Sequence, residues 1–143
     1  MNENLNALDE INKGACMGMD ALSCIIEKIQ DEKFKEFAVL QYERYQSISK
    51  EISKVYKKYS KDKEPHETSM MTKMMTYYGI EMRTMKEKSD SKNAELLLQG
   101  TNMGIIEGRK LLNNKNINKE VNKIINKFVA MQEEMVERLK EFL

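Results

Sequence analysis

"LLLQGTNMGIIEGRKLL", residues 96–112, decides how this chain is read, because a segment built of helix formers carries glycine at positions 100, 104 and 108. An interior glycine costs roughly 1 kcal/mol of helix stability relative to alanine, so a stripe at i, i+4 and i+8 persists where something presses close to that face. The spacing lines Gly100, Gly104 and Gly108 along one side of a helix. A second small-residue face, Gly14 and Gly18 flanked by Ala7 and Ala21, lies in and around "GACMG" near the start of the chain. We expect these two faces to cross, with backbones nearer than the usual ~8–10 Å, regaining dispersion and weak Cα–H contacts. Two other readings stay open: the groove receives large side chains such as Met17, Met103 or a methionine of residues 69–88, or it is a slot for a flat apolar ligand. A phosphate-cradling loop lacks its signals, since no strand precedes these glycines and no GK[ST] follows them.

Working outward, the rest of the chain also reads as helix. One proline, six glycines and no bounded strand-like alternation leave little room for a sheet, so the class is all-α. Leu8, Ile11, Ala15, Gly18, Leu22, Ile25 and Ile29 recur every three or four residues and predict one buried seam from about Asn4 to Gln30. Asp31 offers an N-cap for the next seam, which comprises Phe34, Ala38, Gln41, Tyr45, Ile48, Ile52, Val55 and Tyr59 and ends in lysines. "DKEPHET", residues 62–68, breaks the pattern at Pro65. A methionine-rich helix is expected from about Ser69 to Lys88, and a further one, capped within "SDS" at 89–91, reaches Asn113. The last, from about Lys119, buries Val121, Ile125, Phe128, Met135, Leu139 and Phe142. Short connections favour antiparallel neighbours, so we expect an antiparallel up-and-down bundle of four long helices plus one shorter methionine-rich helix, either a fifth rod or a crossing segment. The 143 residues suit a single domain spanning 1–143.

Composition narrows the function. A net charge of +1 gives no general attraction to nucleic acid or to an anionic membrane. Uninterrupted apolar runs such as Leu96–Leu98 fall far short of the ~18 residues that span a bilayer, and "MNENLNALDE" has neither the basic start nor the apolar stretch of a secretory leader, which points to the cytoplasm. Cys16 and Cys24, eight positions apart on one helix, cannot bridge and read as small apolar packers.

Catalytic arrangements are mostly absent from the pattern. His66 is the single histidine and sits beside Pro65, so neither a serine or cysteine triad nor a zinc site has its ligands. Glu10, Asp20, Glu27, Glu36, Glu43, Glu51, Glu107, Glu134 and Glu141 mostly fall away from the apolar seams and read as a solvated exterior. Among the twelve methionines, Met71, Met75, Met82 and Met85 share a helical face with Tyr78, as core packing or as an adaptable ligand or interface face. "CMGM" sets Cys16 beside Met17 and Met19, but consecutive helix positions diverge, which spoils a Cu(I) site. The six tyrosines are expected mostly at the bundle edge with wet hydroxyls, and Gln41 with Gln132 as a buried amide pair that fixes register.

The helix pattern, with "LLLQGTNMGIIEG" and "FVAMQEEMVERLKEFL", resembles the ferritin and rubrerythrin-like superfamily, and within it small bundle proteins of anaerobic bacteria that lack the di-iron ligands. That superfamily's di-iron site uses glutamates and two Glu-x-x-His pairs, and no Glu-x-x-His occurs here, so no ligand position carries over. The resemblance implies a scaffold without the iron chemistry. The expectation is a non-enzymatic cytoplasmic bundle without a cofactor, acting by protein contact as a homodimer through the methionine-rich helix or an outer face of the 90–112 helix. The alternative is a bundle that binds haem, a lipid-like molecule or Cu(I).

Overall fold

Helix boundaries fall where short polar side chains can accept the first orphan amides. In the computed structural model, which describes residues 3–60 and 89–143, Asp31 accepts from the Phe34 amide at 2.9 Å, Ser89 from Lys92 at 3.1 Å and Asn118 from Val121 at 3.0 Å. These caps open three of the four long helices among the described residues: α1 Glu3–Ile25, α2 Glu32–Tyr59, α3 Asp90–Leu112 and α4 Lys119–Leu139. A 3₁₀ turn follows α1 at Ile26–Lys28 and another follows α4 at Lys140–Phe142. The chain is all-α over these residues. The expected helix of residues 69–88, with Met71, Met75, Tyr78, Met82 and Met85, lies outside the described residues, as do Pro65 and His66. Whether that segment is a fifth rod or a crossing segment lies there too.

Polar and ring contacts establish which helix ends meet. The amides of Gln30 and Asp31 donate to the Asp90 carboxylate at 2.9 and 2.8 Å, tying the α1–α2 turn to the start of α3. Phe142, just beyond α4, stacks on Phe34 with ring centroids 4.5 Å apart at this same end. At the opposite end the Asn118 amide donates to Asn4 Oδ1 at 2.9 Å, and Lys58 Nζ meets Glu120 at 2.6 Å. It follows that α1 and α4 run one way while α2 and α3 run the other. The pairs joined by short connections, α1–α2 and α3–α4, are antiparallel and make the most extensive helix contacts, whereas α2 and α3 point in the same direction.

The seams carry the core. Leu8, Ile11, Ala15, Leu22, Ile25, Ile29, Phe34, Ala38, Ile48, Ile52, Val121, Ile125, Phe128, Met135 and Leu139 are all buried. Two features differ from the sequence expectation. The tyrosines are expected mostly at a wet edge, yet Tyr56, and with it Tyr45, which the periodicity does put on the seam, are buried hydroxyl and all at 2% and 1% exposure. The Tyr56 hydroxyl donates to Asp9 at 3.5 Å, and burial together with that carboxylate raises its pKa. Asp9 and Lys13, charged residues one helical turn apart, are themselves buried on α1. A hydroxyl aimed inward needs a polar partner, and at both tyrosines one is present.

Candidate functional site

The glycine faces meet side chains. A Cβ added to Gly14 would lie 2.8 Å from the Phe128 ring, and one on Gly18 would clash with the Tyr45 ring. On α3, a Cβ at Gly104 would run into the Gln132 amide and one at Gly108 into a Val129 methyl. The expectation was a close crossing of α1 and α3 backbones at Gly14, Gly18, Gly100, Gly104 and Gly108. The space over four of these glycines is filled by side chains from the flanking helices α2 and α4. Large side chains do enter the groove: Tyr45, Phe128, Val129 and Gln132 lie over the glycines, and Met17 lines the cavity beside them, while the methionines of residues 69–88 lie outside the described residues. Aromatic and β-branched residues of α2 and α4 point to the bundle axis, and only hydrogen on the facing helix leaves room for them.

The two faces still look at one another, across a cavity of about 20 Å³ lined by Gly14, Met17, Gly18 and Ala21 of α1 and by Leu97, Gly100, Thr101 and Gly104 of α3. Tyr45, Gln132 and Met135 close it from α2 and α4. Such a volume admits about one water molecule and is far too small for haem or a lipid-like molecule in this conformation.

Its polar groups are neutral and linked. Gln132 Nε2 donates to Tyr45 Oη at 3.2 Å, and the Tyr45 hydroxyl points to Met135 Sδ at 3.8 Å. Thr101 Oγ1 donates to the Leu97 carbonyl at 2.7 Å, one turn earlier on its own helix, and lies 3.8 Å from the same sulfur. Burial drives the Tyr45 pKa up, opposed in part by hydrogen bonds from Gln132 and Thr101. The amide pair expected between Gln41 and Gln132 is replaced by this Gln132–Tyr45 bond. Gln132 Oε1, on a residue 2% exposed, has no hydrogen-bond partner; neither does Gln41 Oε1. Thr101 was not foreseen, because a single threonine on a glycine face carries no distinctive signal.

The di-iron centre of ferritin-like bundles, whose Glu-x-x-His pairs this sequence lacks, is built from carboxylate and imidazole ligands between the helices. Tyrosine, threonine, amide and thioether at this position supply none of the carboxylate and imidazole ligands such a centre needs, so the residues do not fit it. Among the described residues no group of three or more His, Cys, Asp or Glu is placed to hold a metal ion. Cys16 and Cys24 are both partly buried, and neither is in a disulfide.

A second concave feature lies outside, between α2 and α4. A groove of about 370 Å³ is lined by Arg44, Ser47, Ile48 and Glu51 on one helix and Lys127, Ala130, Met131 and Glu134 on the other. Each helix thus carries a base, a small residue, a large apolar residue and an acid at identical spacing. Because the helices are antiparallel, Arg44 sits opposite Glu134 at 3.6 Å and Lys127 opposite Glu51 at 2.7 Å. The four charges alternate in sign around the corners of the groove. The matching spacing is present in the sequence, but on one helix at a time Glu51 and Glu134 read simply as solvated exterior.

No helix of the described residues is long and apolar enough to cross a membrane. Comparison of the chain with protein-family models, curated proteins and solved structures gives no match.

Proposed function

We propose that this protein is a non-enzymatic, ferritin-like helical bundle of the cytoplasm that acts by protein contact, as a homodimer joined face to face through α2 and α4. The observation that carries this reading is the alternating square of Arg44, Glu134, Lys127 and Glu51 around a centre of Ser47, Ala130, Ile48 and Met131. A second copy turned about an axis lying in that face sets each basic corner over an acidic one. Such a surface complements itself, as the isologous contact of a twofold dimer demands. Small residues at the centre let the helices approach, and the charged rim supplies register more than affinity. The face is about 30 Å long and two helices wide, enough for the ~800 Å² per partner of an ordinary stable interface. This differs from the sequence expectation, which put the interface on the methionine-rich helix or the outside of α3, where Ile106 is the exposed large apolar residue.

Light scattering on the eluting protein tests it. Wild type is expected at twice 16.8 kDa. Arg44→Glu with Lys127→Glu makes all four corners acidic and should yield monomers whose circular dichroism remains helical. Adding Glu51→Lys and Glu134→Lys inverts the square, which is again self-complementary, and should restore the dimer. A monomeric wild type at 0.1 mM (an order-of-magnitude working concentration, about 100 times a micromolar Kd), or a dimer indifferent to these changes, would refute the proposal.

A further inference from the structure

We propose that the cavity between the α1 and α3 glycine faces is a binding site for one water-sized, neutral hydrogen-bond donor, held by Gln132 Oε1 and bridging α2, α3 and α4. Gln132 lines the cavity, its Oε1 is buried with no hydrogen-bond partner among the described residues, and the other end of the same amide is committed to Tyr45. A desolvated acceptor left alone costs about 1–3 kcal/mol, so a donor that can reach it is strongly favoured. The cavity volume of about 20 Å³ exceeds the ~10–15 Å³ needed for one water and excludes most larger molecules.

The remaining partners suit a molecule with two hydrogens and two lone pairs. Thr101 Oγ1 has its hydrogen directed to the Leu97 carbonyl at 2.7 Å, which leaves its lone pairs as acceptors. Tyr45 Oη and Met135 Sδ also line the space, and both can accept. Among the described residues no positive or negative group lines it, so an ion would be desolvated there without a counter-charge. The glycines have a role here as well: a methyl group at Gly18 or Gly104 would force Tyr45 or Gln132 from its place and disperse the polar cluster. The occupant adds Gln132 Oε1 to a cluster in which Tyr45 of α2, Thr101 of α3 and Gln132 and Met135 of α4 are already in contact.

Water is the probe. In NOE spectra of labelled full-length protein, we expect cross-peaks of slow-tumbling sign between a water resonance and both the Gln132 side-chain amide and the Thr101 methyl. Xenon should leave the methyls of Thr101 and Leu97 unshifted, because a polar occupied site does not admit it. In Gln132→Met, which removes the acceptor at similar length, the water peak at Thr101 should vanish and xenon should shift the same methyls. Wild-type protein lacking the water peaks, or responding to xenon, overturns the proposal, and this measurement decides alone if the variant fails to fold.

Discussion

Gly18 and Gly104 line one cavity from opposite sides, yet they carry different loads: Gly18 lies beneath the ring of Tyr45 and Gly104 beneath the end of Gln132. The same residue type, with the same motif spacing, is therefore under unequal constraint. A ring with 1% exposure is wedged among α1, α2 and α4 and moves only with its helix, whereas a glutamine amide can swing about its own side-chain torsions. Small-residue stripes mark where a bundle needs space, and the group that uses the space decides how much a glycine matters.

The largest effect should come from Gly18→Ala. Alanine gains up to ~1 kcal/mol of helix propensity but overlaps the Tyr45 ring, and overpacking of that kind costs roughly 1–3 kcal/mol or more. We expect a net loss of about 2 kcal/mol, seen as a fall in Tm of about 8 °C. Repeating the change in a Tyr45→Leu background should remove most of that loss, with a coupling of about 1 kcal/mol or more. An unchanged penalty would show that the ring is not what makes Gly18 necessary.

Next comes Tyr45→Phe. It keeps the ring over Gly18 while removing the acceptor for Gln132 Nε2, so a buried N–H loses its partner at 3.2 Å. The expected loss is about 1–2 kcal/mol in urea denaturation with the m-value unchanged. A neutral outcome would mean that Gln132 finds another acceptor, and the comparison between the two glycines would then rest on shape alone.

Much of this was legible in advance, and the failures share a cause. The three-to-four residue recurrence identified the α1, α2 and α4 seams because amphipathic periodicity is a property of one helix at a time. Asp31, Ser89 and Asn118 cap the helices that follow them because capping is equally local. What lies over Gly14 or Gly104 depends on the rotation and depth of other helices, and no single-helix pattern carries that. Tyr45 shows the limit: periodicity placed it on the seam, but an inward hydroxyl became acceptable only once Gln132 of α4 was known to face it. The Asp90 clamp on the Gln30 and Asp31 amides was hidden for the same reason, with residues far apart in sequence meeting at one end.

Alkaline pH separates the ring from its environment with a smaller effect. Burial raises the Tyr45 and Tyr56 pKa values above the unperturbed 10.0, so the folded protein holds these phenol protons more tightly than the unfolded chain. Their contribution to stability is complete below pH 10. It declines as pH rises, because the unfolded chain releases protons first, and it is gone once the folded pKa values are passed. Tyrosinate absorbance should therefore show late-titrating groups that coincide with unfolding. Tyr45→Phe should flatten the alkaline decline in Tm relative to its own value at neutral pH; an equally steep decline would assign the effect to other groups.

The smallest expected effect is the sharpest on the comparison. Gly104→Ala places a methyl where the Gln132 amide now rests, but that amide is the free end of a long side chain and can turn aside. Its departure breaks the 3.2 Å bond to Tyr45, a loss of about 1 kcal/mol, while alanine returns up to ~1 kcal/mol of helix propensity. Stability should thus stay within about 1 kcal/mol of wild type even as the local chemistry changes. The change itself is readable in the Tyr45 titration, because the Gln132 hydrogen bond lowers that pKa against the dominant rise from burial. Removing it should move Tyr45 further upward. A Gly104→Ala protein that melts as far below wild type as Gly18→Ala would show that Gln132 is held as rigidly as the ring, and the distinction drawn between the two faces would collapse.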